Sequence, residues 1–126
     1  MELIIGGAFQ GKLNYARELY PDVVWVDGKS CTLEEMCKIP GIYNLHLFIK
    51  KQILEGKDVS ELADILIEKN PNMIIISDEV GYGVVPVDAF DRVYREAVGR
   101  VCTKLAEKAS KVTRVICGIG TVIKGE

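Results

Sequence analysis

Leu3-Ile4-Ile5-Gly6-Gly7-Ala8-Phe9-Gln10-Gly11-Lys12-Leu13-Asn14-Tyr15-Ala16-Arg17-Glu18-Leu19 passes from a short apolar run through a glycine loop into a helical segment. A strand joined to a helix by Gly-x-x-x-x-Gly-Lys is a phosphate-binding arrangement. The glycines let main-chain N–H groups turn inward around phosphate oxygens, and the lysine adds charge on the β/γ side. The helix N-terminus that follows brings unpaired N–H groups and its dipole. Gly6, Gly7, Ala8, Phe9, Gln10, Gly11, Lys12 and Leu13 are therefore candidate nucleotide-binding residues, and Lys12 is also a candidate catalytic charge. Leu13 stands where a Ser or Thr hydroxyl normally ligates Mg²⁺. The hexad recurs by chance, so its placement between strand and helix is what gives it weight.

Working outward, Glu2–Ile5, Val23–Val26, Met73–Ser77 and Val112–Cys117 are short apolar runs of the kind found in a parallel sheet buried on both faces. Gly41–Asn44 reads as a brief extra strand. Thr32-Leu33-Glu34-Glu35 has capping-box spacing and starts a short helix that Pro40 must end. Leu45–Glu55 reads as a helix closed by Gly56. Asp58-Val59-Ser60-Glu61 is a second cap-like start, followed by Leu62, Ala63, Leu66 and Ile67 at helical spacing and stopped at Asn70-Pro71-Asn72. The longest helix runs from about Asp88 to Ala109, with Phe90, Val93, Tyr94, Ala97, Val98, Val101 and Leu105 on one face. Arg92, Arg95, Glu96, Arg100 and Lys104 lie opposite, as a solvated face or, for Arg95 or Arg100, toward a phosphate or neighbouring subunit. Alternating strands and helices imply a single-domain α/β fold over residues 1–126. The expectation is P-loop NTPase-like: a mostly parallel sheet of about five strands with helices on both faces. Ligands in such folds sit beyond the carboxyl ends of the strands.

The 126 residues carry 16 Lys+Arg against 18 Asp+Glu, a net charge of −2. That gives no broad attraction to nucleic acid or an anionic membrane, so neither is expected as a partner. Met1-Glu2-Leu3-Ile4-Ile5 reaches glycine too soon for a signal peptide, and no apolar stretch approaches the roughly 18 residues of a membrane span, so membrane insertion is not expected and the location expected is cytoplasmic. Cys31, Cys37, Cys102 and Cys117 form no C-x-x-C pair and read as reduced, mostly buried thiols.

Met73-Ile74-Ile75-Ile76-Ser77-Asp78-Glu79-Val80-Gly81-Tyr82-Gly83 ends an apolar strand in two carboxylates, as a Walker-B-like element does. Asp78 and Glu79 are the remaining catalytic candidates, Asp78 also as ligand of a nucleotide-associated Mg²⁺. The other reading is that they cap the glycine-rich turn. Gly81 and Gly83 permit close main-chain approach to a ligand. Gly118-Ile119-Gly120 reads as a second place where a ligand meets the main chain. Asp27-Gly28 is either a ribose or metal contact or a plain turn. His46, the single histidine, sits among apolar neighbours as a packed residue, at a position compatible with the active edge.

Gly6-Gly7-Ala8-x-x-Gly11-Lys12, Asp78-Glu79-Val80-Gly81-x-Gly83-Val84-Val85-Pro86, Arg95-Glu96-x-x-Gly99-Arg100-Val101 and Gly118-Ile119-Gly120 with Ile123-Lys124 occur in one order. Together they resemble the adenosylcobinamide kinase / adenosylcobinamide-phosphate guanylyltransferase family of cobamide biosynthesis. The resemblance covers about the first twenty residues and nearly all of the chain from Met73 to Lys124. It implies a P-loop enzyme that phosphorylates the aminopropanol hydroxyl of adenosylcobinamide and then attaches GMP from GTP through a guanylylated histidine. It implies ATP or GTP and a corrinoid as ligands, and a homotrimer. By position, Gly6 to Lys12 would bind the nucleotide phosphates, and Glu79, Gly81 and Gly83 would lie beside the nucleotide.

The chain departs from that pattern. Family members are longer, and the missing length falls between the second strand and the Asp78-Glu79 strand, where the family carries its nucleophilic histidine and an Arg-Pro-x-x-Trp element. His46 matches the later strand-to-helix junction instead, and the nucleophile is not transferred to it. Leu13 replaces the Mg²⁺-binding hydroxyl, and the family's acidic residue at the end of the middle strand has no clear counterpart. Two readings follow: a shortened kinase of this family, or a catalytically reduced nucleotide- or corrinoid-binding protein that regulates or scaffolds the pathway.

Overall fold

A computed structural model describes residues 1–80 and 88–125. Its elements in chain order are β1 (Glu2–Gly6), α1 (Lys12–Leu19), β2 (Trp25–Asp27), α2 (Leu33–Met36), β3 (Gly41–Tyr43), α3 (Leu45–Leu54), α4 (Leu62–Lys69), β4 (Ile74–Asp78), α5 (Ala89–Lys108), β5 (Lys111–Ile116) and β6 (Ile119–Lys124). The strands form one sheet in the order β2-β3-β4-β1-β5-β6. Every pairing is parallel except that of β5 with β6. This is the expected mostly parallel α/β sheet flanked by helices.

Successive residues of a strand face opposite sides, and both sides here are buried. Leu3 and Ile75 pack with Phe48 and Ile49 of α3, Leu66 of α4 and Val98, Val101 and Leu105 of α5. Ile4, Ile76 and Val115 face the other way, against Ala16 of α1 with Leu13, Tyr15 and Trp25 around them. Two-sided burial is why β1 and β4 read as continuous apolar runs. Each fully buried side chain of this size contributes about 1.5–3 kcal/mol, which makes the α3–α5 face the larger share of the core.

Local chemistry sets the helix ends. Thr32 and Glu35 form the reciprocal capping box that starts α2. Asp88 starts α5, its carboxylate accepting from the N–H of Asp91 at 2.6 Å. Beyond α3, Gly56 takes φ 75°, the left-handed closure that favours glycine.

Several expectations shift. The second strand begins at Trp25 rather than Val23, because the N–H of Val23 closes a turn onto the carbonyl of Tyr20. The Asp58-Ser60 segment is a turn, Asp58 accepting the Ser60 N–H at 2.9 Å, and α4 starts only at Leu62. The larger correction is at the C-terminal end, where the described residues form a sheet of six strands rather than about five. Gly118-Ile119-Gly120, read from sequence as a loop open to a ligand, instead runs from a hairpin turn into the start of β6 at Ile119. Cys117 and Gly118, at φ 51° and 76°, make a two-residue hairpin turn with both central residues left-handed. The space beside Gly120 is filled by the ring of Tyr15, which any Cβ there would strike. No helix among the described residues is long and apolar enough to cross a membrane.

Candidate functional site

The register of β1 on β4 sets Gly6 beside Asp78. The glycine loop after β1 and the carboxylates after β4 thereby arrive at one edge of the sheet. Gly11, at φ 82°, precedes the first residue of α1, so Lys12 leaves the loop at the helix N-terminus. Phe9 also adopts a left-handed conformation, φ 60°, with its ring fully exposed.

Lys12 is buried and folds back over the loop. Its Nζ donates to the carbonyl of Gly7 at 2.7 Å and lies 2.7 Å from Asp78 Oδ1. The other carboxylate oxygen, Oδ2, lies 3.3 Å from Nε2 of His46. Nδ1 of the same imidazole accepts the main-chain N–H of Asp78 at 3.1 Å. One nitrogen accepts and the other must donate, which fixes a neutral ring protonated on Nε2. Burial lowers the His46 pKa, opposed by the Asp78 charge and reinforced by Lys12. His46 thus belongs to the site.

Asp78 and Glu79 diverge. Asp78 meets Lys12 and His46, whereas Glu79 forms a two-pronged pair with Arg114 of β5, Nε to Oε1 at 2.9 Å and Nη2 to Oε2 at 3.1 Å. The N–H of Glu79 also continues the β1–β4 ladder onto Gly6 at 2.8 Å. Gly81 and Gly83 lie outside the described residues. Asp27 serves its own turn: Oδ1 accepts from the N–H of Lys29 at 2.9 Å and from Nδ2 of Asn44 at 3.0 Å. Asn44, at φ 58°, is the left-handed residue that hands β3 over to α3 and so positions His46.

A cavity of about 290 Å³ opens between these elements, bounded by Phe9, Lys12, Tyr43, Asn44, Ile76 and Asp78. Mg²⁺ is usually held by one or two carboxylates together with phosphate oxygens, a part that Asp78 fits. Leu13 supplies no oxygen and packs toward Ile4 and Ile76. Among the described residues no group of three His, Cys, Asp or Glu is placed to hold a metal.

Fold and loop together define a P-loop NTPase-like α/β protein. A family model described as cobinamide kinase / cobinamide phosphate guanyltransferase matches residues 42–123. The chain belongs to that family. It is 40% identical over 52 residues to the bifunctional adenosylcobalamin biosynthesis protein CobU of Salmonella typhimurium, covering 41% of this chain and 29% of the relative. It is 32% identical over 90 residues to the bifunctional adenosylcobalamin biosynthesis protein CobP of Pseudomonas aeruginosa, covering 71% of this chain and 51% of the relative. The aligned region spans about half the length of these relatives or less. The family match also takes in residues 42–72, outside the blocks that carried the resemblance, and leaves out the glycine loop that had led it.

Of the residues around Asp78 and Glu79, sequence reasoning missed Arg114 and read His46 as a packed residue at a position compatible with the active edge. For His46 a signal existed, since it follows directly on the carboxyl end of a short strand. For Arg114 there was none, because its partner lies 35 positions away with β1 between them.

Proposed function

We propose that this protein is a nucleotide-dependent transferase of cobamide biosynthesis that phosphorylates adenosylcobinamide with ATP or GTP. The observation that carries the reading is Lys12, held by Gly7 and Asp78 at the mouth of the glycine loop. In this reading the loop N–H groups and Lys12 bind the transferred phosphoryl group and stabilise the charge that develops on it. Asp78, kept in its rotamer by His46, orients the acceptor hydroxyl once Lys12 has moved to the phosphates, or would hold a Mg²⁺ ion, whose charge would offset that of the phosphates. Glu79, held by Arg114, keeps the strand end in place. The corrinoid acceptor and a homotrimeric assembly are inferred from family membership. Guanylyl transfer is not part of the reading. The single histidine is buried with both nitrogens engaged by Asp78, leaving no free imidazole to carry a covalent intermediate.

The test is mass spectrometry of adenosylcobinamide incubated with the protein, Mg²⁺ and ATP or GTP, beside a Lys12→Ala control. A phosphate-sized mass gain lost in the control is the expected result. A second reading, a catalytically reduced nucleotide- or corrinoid-binding regulator of the same fold, is favoured by Leu13, which removes a metal-binding hydroxyl. Nucleotide bound without turnover would establish it in place of the first.

A further inference from the structure

The turn between β5 and β6 touches the glycine loop, and one residue makes the connection. In a two-residue hairpin the N–H groups of both central residues lie outside the ladder and need partners elsewhere. Both find them in Gln10. The N–H of Cys117 donates to Gln10 Oε1 at 2.7 Å, and that of Gly118 donates to the Gln10 carbonyl at 2.7 Å. The contact is close, since a Cβ built on Gly11 would sit 3.4 Å from the Cα of Gly118.

We infer that Gln10 is a positioning residue for the nucleotide phosphates, tying the glycine loop to the β5–β6 turn so that the loop holds its shape before nucleotide arrives. This rests on the nucleotide-binding reading above. Two physical consequences support it. The C=O and N–H of a trans peptide point in opposite directions, so pinning the Gln10 carbonyl to Gly118 turns the N–H of Gly11 away from the hairpin and leaves it free for a ligand. A loop already ordered has less conformational freedom to lose on binding, and that saving appears as affinity. The hairpin that looked from sequence like a ligand site of its own thus serves the loop at second hand.

The experiment compares wild type, Gln10→Met, which keeps the side-chain length without the acceptor oxygen, and Gln10→Glu, which restores an oxygen. Amide hydrogen exchange is read at Cys117 and Gly118, and nucleotide binding by titration calorimetry and steady-state kinetics. Expected for Gln10→Met are loss of protection at Cys117 and a nucleotide Kd and KM raised about tenfold with a smaller change in kcat. Gln10→Glu is read at the Cys117 amide, where protection returns, because its charge beside the phosphates confounds affinity. A wild type that does bind nucleotide, but no more tightly than Gln10→Met, would overturn the inference. If wild type binds no nucleotide, the functional reading falls and the tether is judged by exchange alone. Protection at Cys117 that Gln10→Met removes with the melting temperature unchanged upholds the tether, and an unprotected Cys117 in wild type overturns it.

Discussion

His46 grips Asp78 twice, accepting its main-chain N–H on Nδ1 at 3.1 Å and facing its carboxylate with Nε2 at 3.3 Å. The imidazole therefore fixes the rotamer of the carboxylate that meets Lys12. Nitrogen-15 NMR at neutral pH should show a single neutral ring protonated on Nε2. Replacing His46 by Leu leaves a partly buried N–H and a carboxylate oxygen short of partners, which costs about 1–3 kcal/mol in urea denaturation. His46→Gln, which keeps a donor and an acceptor, should lose less. An imidazolium signal at pH 7 would contradict the arrangement.

The Glu79–Arg114 pair has the parallel two-bond geometry that makes arginine–carboxylate contacts stronger than single ion pairs. Arg114 is about one-third exposed, so solvent screens the interaction. A double-mutant cycle with Glu79→Gln and Arg114→Met should give a coupling of about 0.5–1 kcal/mol, diminished at high salt. Coupling indistinguishable from zero at low salt would show the pair to be incidental.

Tyr15 occupies the place of a side chain at position 120. Gly120→Ala should destabilise the protein by about 1–3 kcal/mol through overpacking. Pairing it with Tyr15→Leu should recover part of that loss, a non-additivity expected of residues in contact. Thermal denaturation of the two single variants and the double variant decides the matter.

The four thiols should separate by reactivity. Cys117 is exposed at the hairpin turn, Cys31 is buried, and Cys37 and Cys102 are half-buried. Burial pushes the Cys102 thiol from 9.0 up to about 11, and thiols react as thiolates. At pH 8 a disulfide reagent should therefore modify Cys117 first and Cys102 slowly. The folded state holds the Cys102 proton more tightly than the unfolded chain does. Its contribution to stability is accordingly complete below pH 9 and is lost as pH rises toward about 11. Cys102→Ala should flatten that alkaline decline.

Much of this was legible in the chain itself. Apolar runs at Leu3-Ile4-Ile5 and Met73–Ser77 name two sheet strands because both faces of each are buried. The glycine loop and Asp78 meet because parallel strands deliver their carboxyl ends to one edge. The β6 strand was hidden by its composition: Gly118 and Gly120 read as a loop, whereas Gly118 closes the hairpin and the reason for Gly120, the ring of Tyr15, comes from a helix more than a hundred residues earlier. The His46–Asp78 contact was hidden for a related reason. Its spacing is set by how α3 leaves β3 through the left-handed Asn44, a conformation that sequence permits without requiring.

The place of β1 in the middle of the sheet also bears on how the chain acquires its shape. Ile4 lies opposite Ile76 on one side and Thr113 on the other, so this strand is flanked only by strands that come much later in the chain. Contacts this distant in sequence carry a large loop-closure cost and slow folding. On the ribosome, Leu3-Ile4-Ile5 would have no sheet partner until β4 has emerged and would lack its second until β5 follows. The glycine loop that hangs from that strand should accordingly mature late, although it precedes those partners in the chain.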